Sequence, residues 1–362
     1  MTGEARRVLV TGGLGFIGSA VVRHLLARTD DVVLNVDVGT YASTEGSVAA
    51  VAERAGPGRY SRSVTDITDG PALRSAVAEF APDAVVHLAA ETHVDRSIDG
   101  PRTFVDTNVV GTLELLQAAR ASAEHRGLLD RFRFLHVSTD EVFGSLGFDD
   151  PPFDEDSRYD PRSPYAASKA AADHLVRAWH HTYGLPVIVT NCSNNYGPFQ
   201  FPEKMIPLMI AKALAGEPLP VYGRGDNVRD WLHVEDHAAA IVAALGSGKP
   251  GETYGIGGRA ERTNLSVVEA ICDLVDAEAG PMPGAGRAGR RSLIEFVADR
   301  PGHDLRYAVD ATKARRELDW GRANEFDDGL AATVRWYLDN RWWWEPLIDR
   351  YDGSRLGRVD ES

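Results

Sequence analysis

Short apolar runs at Val8–Thr11, Val32–Asp37, Ala84–Ala89, Phe132–Ser138 and Pro186–Thr190 alternate with longer stretches in which apolar side chains recur at helical spacing. Those stretches are Ile17–Arg28, Gly70–Phe80, Pro101–Glu124 and Pro164–Tyr183. Apolar runs without polar alternation predict strands covered on both faces, and the intervening helices supply the crossovers of a parallel sheet. The chain therefore reads as α/β, a doubly wound parallel sheet over residues 1–193. Asn194–Pro202 is rich in turn formers, and a helix with Gly- and Pro-punctuated loops follows as far as Val234. A helix at Val234–Leu245 and a strand at Thr253–Ile256 predict a return to the sheet over about 234–260. A smaller α/β unit, made of 194–233 and 261–345, is expected beside it, with 346–362 as a tail. No repeat of solenoid period interrupts this plan.

Composition narrows the function. The chain has 362 residues, 43% apolar and 25% charged, the make-up of a globular protein with a sizeable core. Its net charge of −14 argues against a nucleic-acid partner. Cys192 and Cys272 lie in apolar runs without metal-ligand spacing, so no metal site and no disulfide are expected. No apolar stretch reaches the ~20 residues that span a bilayer. The glycines that follow Val10 break any signal-peptide profile, which makes the cytoplasm the expected location. Only five residues are lysines, and the position of each is informative for that reason.

Three constellations could carry chemistry. The first strand runs into Thr11-Gly12-Gly13-Leu14-Gly15-Phe16-Ile17-Gly18, with glycines at 12, 15 and 18 opening a helix. The first allows a tight turn, the second lets the backbone approach a pyrophosphate, and the third lets helix pack on strand. Asp37, 19 residues past Gly18 at the end of the second strand, is placed to bind an adenine ribose 2′-hydroxyl and to repel a 2′-phosphate. NAD rather than NADP in a Rossmann domain is the expectation. Next, Tyr165 and Lys169 are four residues apart and share a helix face, where the ammonium is expected to lower the phenol's pKa and make it a base for an alcohol. Third, Thr139-Asp140-Glu141 directly follows the strand Phe132–Val137, at the carboxyl end where open α/β sheets bind ligands. Two crowded carboxyls push their pKa values apart and leave one acid and one base, which is the equipment for eliminating water.

With these residues the sequence resembles the extended short-chain dehydrogenase/reductase family, and within it the dTDP-glucose 4,6-dehydratases, from about Arg7 to Leu347. The narrower shared segments are Thr139-Asp140-Glu141, His87–Ser97, Asn194-Asn195-Tyr196-Gly197-Pro198 into Phe201-Pro202-Glu203-Lys204, Asn227–Trp231 and Asp299–Asp304. The resemblance implies a cycle in which Tyr165, with Lys169 and Thr139, takes the proton of the glucose 4-hydroxyl as NAD receives hydride from C4. Glu141 then removes the C5 proton, protonated Asp140 donates to the departing 6-hydroxyl, and hydride returns to C6. It also implies that Asp66 and Ile67 contact adenine, that Leu88, Ala89, Ala90 and Thr107 line the nicotinamide-ribose side, and that Asn195 touches the cofactor edge. Thr92, Asn194, Lys204, Arg229, Asn264, Arg300 and His303 match substrate-binding positions, and Thr139 counts there too. The two long helices Pro101–Glu124 and Pro164–Tyr183 imply a homodimer through a four-helix bundle. Two other readings compete: a nucleotide-sugar 4-epimerase of the same fold, disfavoured by Asp140 and Glu141, and a non-catalytic NAD-binding regulator. The segment Trp336–Trp344 holds four of the seven tryptophans and reads as an apolar anchor for the end of the chain.

Overall fold

The computed structural model describes residues 5–348 and 350, apart from 283, 285, 300 and 301. A seven-stranded parallel sheet forms its centre. The strands are β1 (Arg7–Thr11), β2 (Val32–Val36), β3 (Tyr60–Ser63), β4 (Ala84–His87), β5 (Arg133–Thr139), β6 (Val187–Cys192) and, after three strands that lie elsewhere, β10 (Thr253–Ile256). Their order is β10-β6-β5-β4-β1-β2-β3, with the direction of winding reversed between β1 and β4. Helices α1 (Phe16–Arg28), α2 (Ala49–Ala55), α3 (Gly70–Phe80), α4 (Val94–Asp99), α5 (Pro101–Phe104), α6 (Thr112–His125) and α7 (Pro164–Tyr183) connect the first six strands. Alternate residues of each strand point to opposite faces. Val8, Val10, Val86 and Ile188 pack with α1 and the later helix α9 (Val234–Ser247). Leu9, Val85, Phe134 and Val187 pack with α3, α6 and α7 on the other side.

The expected strands and helices of the first 193 residues form within a few residues of their predicted ends. One helix differs. Between α5 and α6 the chain makes a wide π turn, Val105–Gly111, in place of regular α-helix. The turn brings Asn108 to the backbone of Glu91, where it accepts from the amide at 2.8 Å and donates to the carbonyl at 3.0 Å, while its Nδ2 also donates to Ser168 Oγ at 2.8 Å. Such turns recur at functional sites because they re-aim one side chain without ending the helix.

The remaining strands build two small sheets beside the large one. The three-stranded sheet contains β7 (Asn194–Tyr196), β9 (Val228–His233) and β11 (Glu261–Thr263), and the two-stranded one contains β8 (Leu219–Tyr222) and β12 (Ile294–Val297). The segment read as turns from Asn194 starts instead as β7, parallel to β9 with Asn194 opposite Trp231. Three residues are too few to carry a strand pattern of their own. Helices α8 (Met205–Ala215), α10 (Asn264–Ala279), α12 (Phe326–Asp339) and α13 (Arg341–Ile348) enclose the second core, and α11 (Thr312–Leu318) joins the large sheet's flank. Within that second core Trp343 and Trp344 are buried and Trp344 donates to the Tyr337 carbonyl at 2.7 Å, which anchors α13 as expected.

Candidate active site

The carboxyl ends of β1, β4, β5 and β6 open toward the second core, and the candidate residues gather there from the backbone outward. At the β1–α1 turn, Gly12 adopts φ +70°, and a Cβ on it would stand 2.7 Å from the Ala89 amide nitrogen. A Cβ on Gly18 would stand 2.1 Å from the Gly12 carbonyl oxygen. Gly15 differs: only that same oxygen comes near, at 3.3 Å, so its face is open. Gly15 is also the N-cap of α1 with no side chain capping the first turn, so Phe16, Ile17 and Gly18 begin the helix with amides available to an anion. The turn is held by Asp37, whose carboxylate accepts from the amides of Leu14 and Gly39, both at 2.8 Å. Beside it the Thr11 hydroxyl lies 2.7 Å from His87 Nδ1 and accepts from the amides of Leu88 and Ala89 at 3.2 Å, which fixes the strip Leu88–Ala90. Asp66 accepts from the Thr68 amide at 2.8 Å, Ile67 is buried against Gly111, and Thr107 lies on the π turn. An open glycine at an uncapped helix start, rimmed by an acid at the end of β2, fits a dinucleotide.

At the end of β5 the chain turns once, Asp140–Phe143, directly after Thr139. Asp140 is 2% exposed. Its Oδ1 accepts from the Thr139 hydroxyl at 3.3 Å, and its Oδ2 is buried with no hydrogen-bond partner among the described residues. Burial, then the adjacent Glu141 and then Asp230, push its carboxyl well above the usual range. Glu141 is half-buried, and its amide donates to Thr139 Oγ1 at 3.3 Å. Tyr165 and Lys169 stand in the first turns of α7, whose start is set by Ser163 accepting from the Ala166 amide at 3.0 Å and by Pro164, with Tyr165 close enough to Asp140 and Glu141 to feel their charge. The side chains of Tyr165 and Lys169 are both buried.

One expectation is corrected here. The sequence spacing predicts that Lys169 lowers the Tyr165 pKa, yet the phenol is pushed well above its ordinary value, by burial first and then by the charge of Glu141. Lys169 Nζ donates to the Val137 carbonyl at 2.8 Å and lies 3.5 Å from His136 Nε2. Burial lowers the pKa of Lys169, and Asp173 opposes that fall.

The candidate substrate positions come from the second unit and the β4 loop. Lys204 Nζ donates to the Thr92 carbonyl at 3.4 Å, joining two of them. Arg229 is 5% exposed, lies over the Tyr307 ring at 4.3 Å, and donates to the carbonyls of Val228 and Asp304 at 2.8 and 3.0 Å. Asn194 Oδ1, like Asp140 Oδ2, is buried without a hydrogen-bond partner among the described residues. Asn195 donates to the Ser193 carbonyl at 2.9 Å and is 2.9 Å from His237 Nδ1. Asn264 opens α10, its amide on the Asn227 carbonyl at 2.9 Å, and His303 Nδ1 lies 2.7 Å from Asp299. Arg300 lies outside the described residues. Sequence reasoning missed His136, Asp173, Asp230 and Tyr307, all buried against the reacting groups. Asp173 carried a signal in its spacing of four from Lys169, and Asp230 in its place within the shared segment Asn227–Trp231.

Comparisons with known proteins agree with this geometry. The profile of the family described as GDP-mannose 4,6 dehydratase matches residues 9–333. The dTDP-glucose 4,6-dehydratase of Neisseria meningitidis serogroup B is 55% identical, over 97% of this chain and 99% of its own. Among solved structures, the dTDP-glucose 4,6-dehydratase of Streptomyces venezuelae with NAD bound superposes with a TM-score of 0.84 at 47% identity, covering 94% of this chain and 99% of its own. The Bacillus anthracis dTDP-glucose 4,6-dehydratase in complex with NAD gives 0.82 at 43% identity, over 95% and 100%. The chain belongs to the dTDP-glucose 4,6-dehydratases, within the family described as GDP-mannose 4,6 dehydratase.

Proposed function

We propose that this protein is an NAD-dependent dTDP-glucose 4,6-dehydratase, which converts dTDP-glucose to dTDP-4-keto-6-deoxyglucose. The observation that carries the reading is Asp140, buried, shifted toward its protonated form, flanked by Glu141 and the Thr139 hydroxyl, and close enough to Tyr165 for its charge to be felt there. Bound NAD supplies a hydride acceptor at C4 and a hydride donor at C6. Tyr165, once ionised, takes the 4-hydroxyl proton while C4 is oxidised; burial and the charge of Glu141 oppose that ionisation, and the buried Lys169 cation four residues on offsets them in part. The new ketone acidifies C5–H, and Glu141 removes that proton. Asp140 gives its proton to the 6-hydroxyl, so the C6–O bond breaks and water leaves. Glu141 returns its proton to C5 as hydride reaches C6. The cycle ends with Tyr165 protonated and Asp140 ionised, so one proton must pass back between them, and the Thr139 hydroxyl lies between the two groups.

An epimerase reading needs neither carboxyl, and a regulator needs none of the four reacting side chains. Division of labour follows the layers: residues 1–193 with 234–260 hold NAD, and 194–233 with 261–345 hold the nucleotide sugar. The anionic diphosphate meets Lys204 and Arg229, local cations in an acidic chain. Two copies pair through α5–α6 and α7, a reading supported by the exposed Val105 and Val110 on the first of these. The cytoplasm and deoxysugar biosynthesis are the proposed setting. No described helix is long and apolar enough to cross a membrane. A panel of dTDP-, UDP- and GDP-glucose, followed by mass spectrometry, tests the reading: dTDP-glucose should lose water fastest. Loss of water from none of the three would overturn it.

A further inference from the structure

The groups that hold Lys169 lie outside every role assigned above. Lys169 is 5% exposed, and beyond the Val137 carbonyl its ammonium faces Nε2 of His136 at 3.5 Å. Across that imidazole nitrogen, at 3.1 Å, is Oδ1 of Asp173, itself fully buried and one turn further along the same face of α7. The other oxygen of Asp173 accepts from the Ser138 hydroxyl at 2.9 Å, the Tyr159 hydroxyl at 2.8 Å and Asn191 Nδ2 at 3.4 Å. Three neutral donors on one oxygen favour an ionised carboxylate. Burial acts to raise the Asp173 pKa, but contacts with His136, Lys169 and Tyr159 outweigh it and hold the group below the usual carboxylate range. A buried carboxylate of this kind is costly unless a cation answers it.

The titratable groups around Lys169 leave little choice of partner. His136 on β5 is pushed down to about 4, by burial and then by Lys169, so it stands between the charges as a neutral ring. His87 on β4 stacks behind it at 5.2 Å and is held neutral well below its ordinary value by burial. Cys192 on β6 keeps its proton because burial pushes its thiol up. Arg177 lies over the Tyr159 ring at 5.0 Å and donates to Thr253 Oγ1 at 3.1 Å. We propose that Asp173 is the counterion of Lys169, acting across His136: a positioning residue that keeps the ammonium charged and aimed beside Tyr165 in the dry interior between α7 and β5. This rests on the reading of Tyr165 and Lys169 given under Proposed function.

The test is the pH dependence of dTDP-glucose turnover by the full-length holoenzyme. In Asp173→Asn the ammonium loses its proton at lower pH, so the alkaline limb of kcat should move down by about one unit or more. Tyr159→Phe removes a hydrogen bond to Asp173 and leaves the charge, so its limb should stay in place. An Asp173→Asn limb at the wild-type position, or an equal displacement in Tyr159→Phe, overturns the proposal. Where Asp173→Asn does not fold, the wild-type chain gives the same answer. With five lysines in the sequence, the 13Cε resonance of Lys169 is assignable through Lys169→Arg. At neutral pH the proposal requires the ammonium shift, and a neutral amine contradicts it. That titration needs no substrate, so it separates failure of this proposal from failure of the functional reading.

Discussion

At the β1–α1 turn the work is done by backbone: glycines set by close approach, helix amides, and Asp37 bonded to two further amides. At the end of β5 and the start of α7 the working groups are side chains that titrate. Asp140, Tyr165 and Lys169 are all buried, and burial is the largest cause of the shift in each. The first region can be damaged by one methyl group and hardly by pH. The second is shaped by the surrounding dielectric, and small changes of charge reach every member. Binding and chemistry are thus separable, and substitutions should divide accordingly.

The sharpest break should come from Glu141→Gln. Loss of a proposed general base lowers turnover by about 10²–10⁴-fold, while NAD affinity stays at the wild-type value and NADH absorbance builds up from C4 oxidation without elimination. Equal loss of binding and turnover would contradict the assignment. Glycine substitutions probe the other region. Gly12→Ala forces an alanine to φ +70° against Ala89, and strain of about 1–3 kcal/mol should lower both Tm and NAD affinity. Gly15→Ala meets only the Gly12 oxygen at 3.3 Å, so calorimetry should find the fold nearly intact and NAD affinity reduced about tenfold by crowding of the pyrophosphate. A smaller effect is expected of Asp37→Asn, which removes the charge that rejects a 2′-phosphate; the preference for NAD over NADP should shrink by about tenfold.

The least disruptive change tests the electrostatics of the reacting end. Asp140 remains protonated in the fold at pH values where the unfolded chain has already ionised it, because its folded pKa is raised. Stability is therefore lost as pH rises from the ordinary aspartate range toward that raised value. Asp140→Asn escapes this loss. At pH 8 its Tm should exceed the wild type's by a few degrees, with elimination impaired, and the difference should fade in acid. A variant less stable than wild type at pH 8 would count against a buried, protonated Asp140.

The sequence exposes these two regions unequally. The glycine turn, Asp37 and the strands around them are legible because each is contiguous and its period is set by local chain geometry. Thr139–Glu141 and the Tyr165/Lys169 pair are legible for the same reason. What joins them is not. His87 stands beside His136, and Ser138 beside Asn191, only through the register of β4 with β5 and of β5 with β6. Asp230 reaches Asp140 from β9, in a different sheet. The sign of the Tyr165 shift fails for a related reason: spacing places Lys169 on the right face but says nothing about burial or about Glu141 opposite. The π turn at Val105–Gly111 hides inside an otherwise helical pattern, since Asn108 is drawn out by partners far away in sequence.

The central claim, that Asp140 and Glu141 make this protein a dehydratase, is tested most directly with dTDP-glucose carrying deuterium at C4. The account predicts a product that has lost water and carries the label at C6, moved there through NAD. A product with inverted C4, the label still on C4 and no water lost would contradict it.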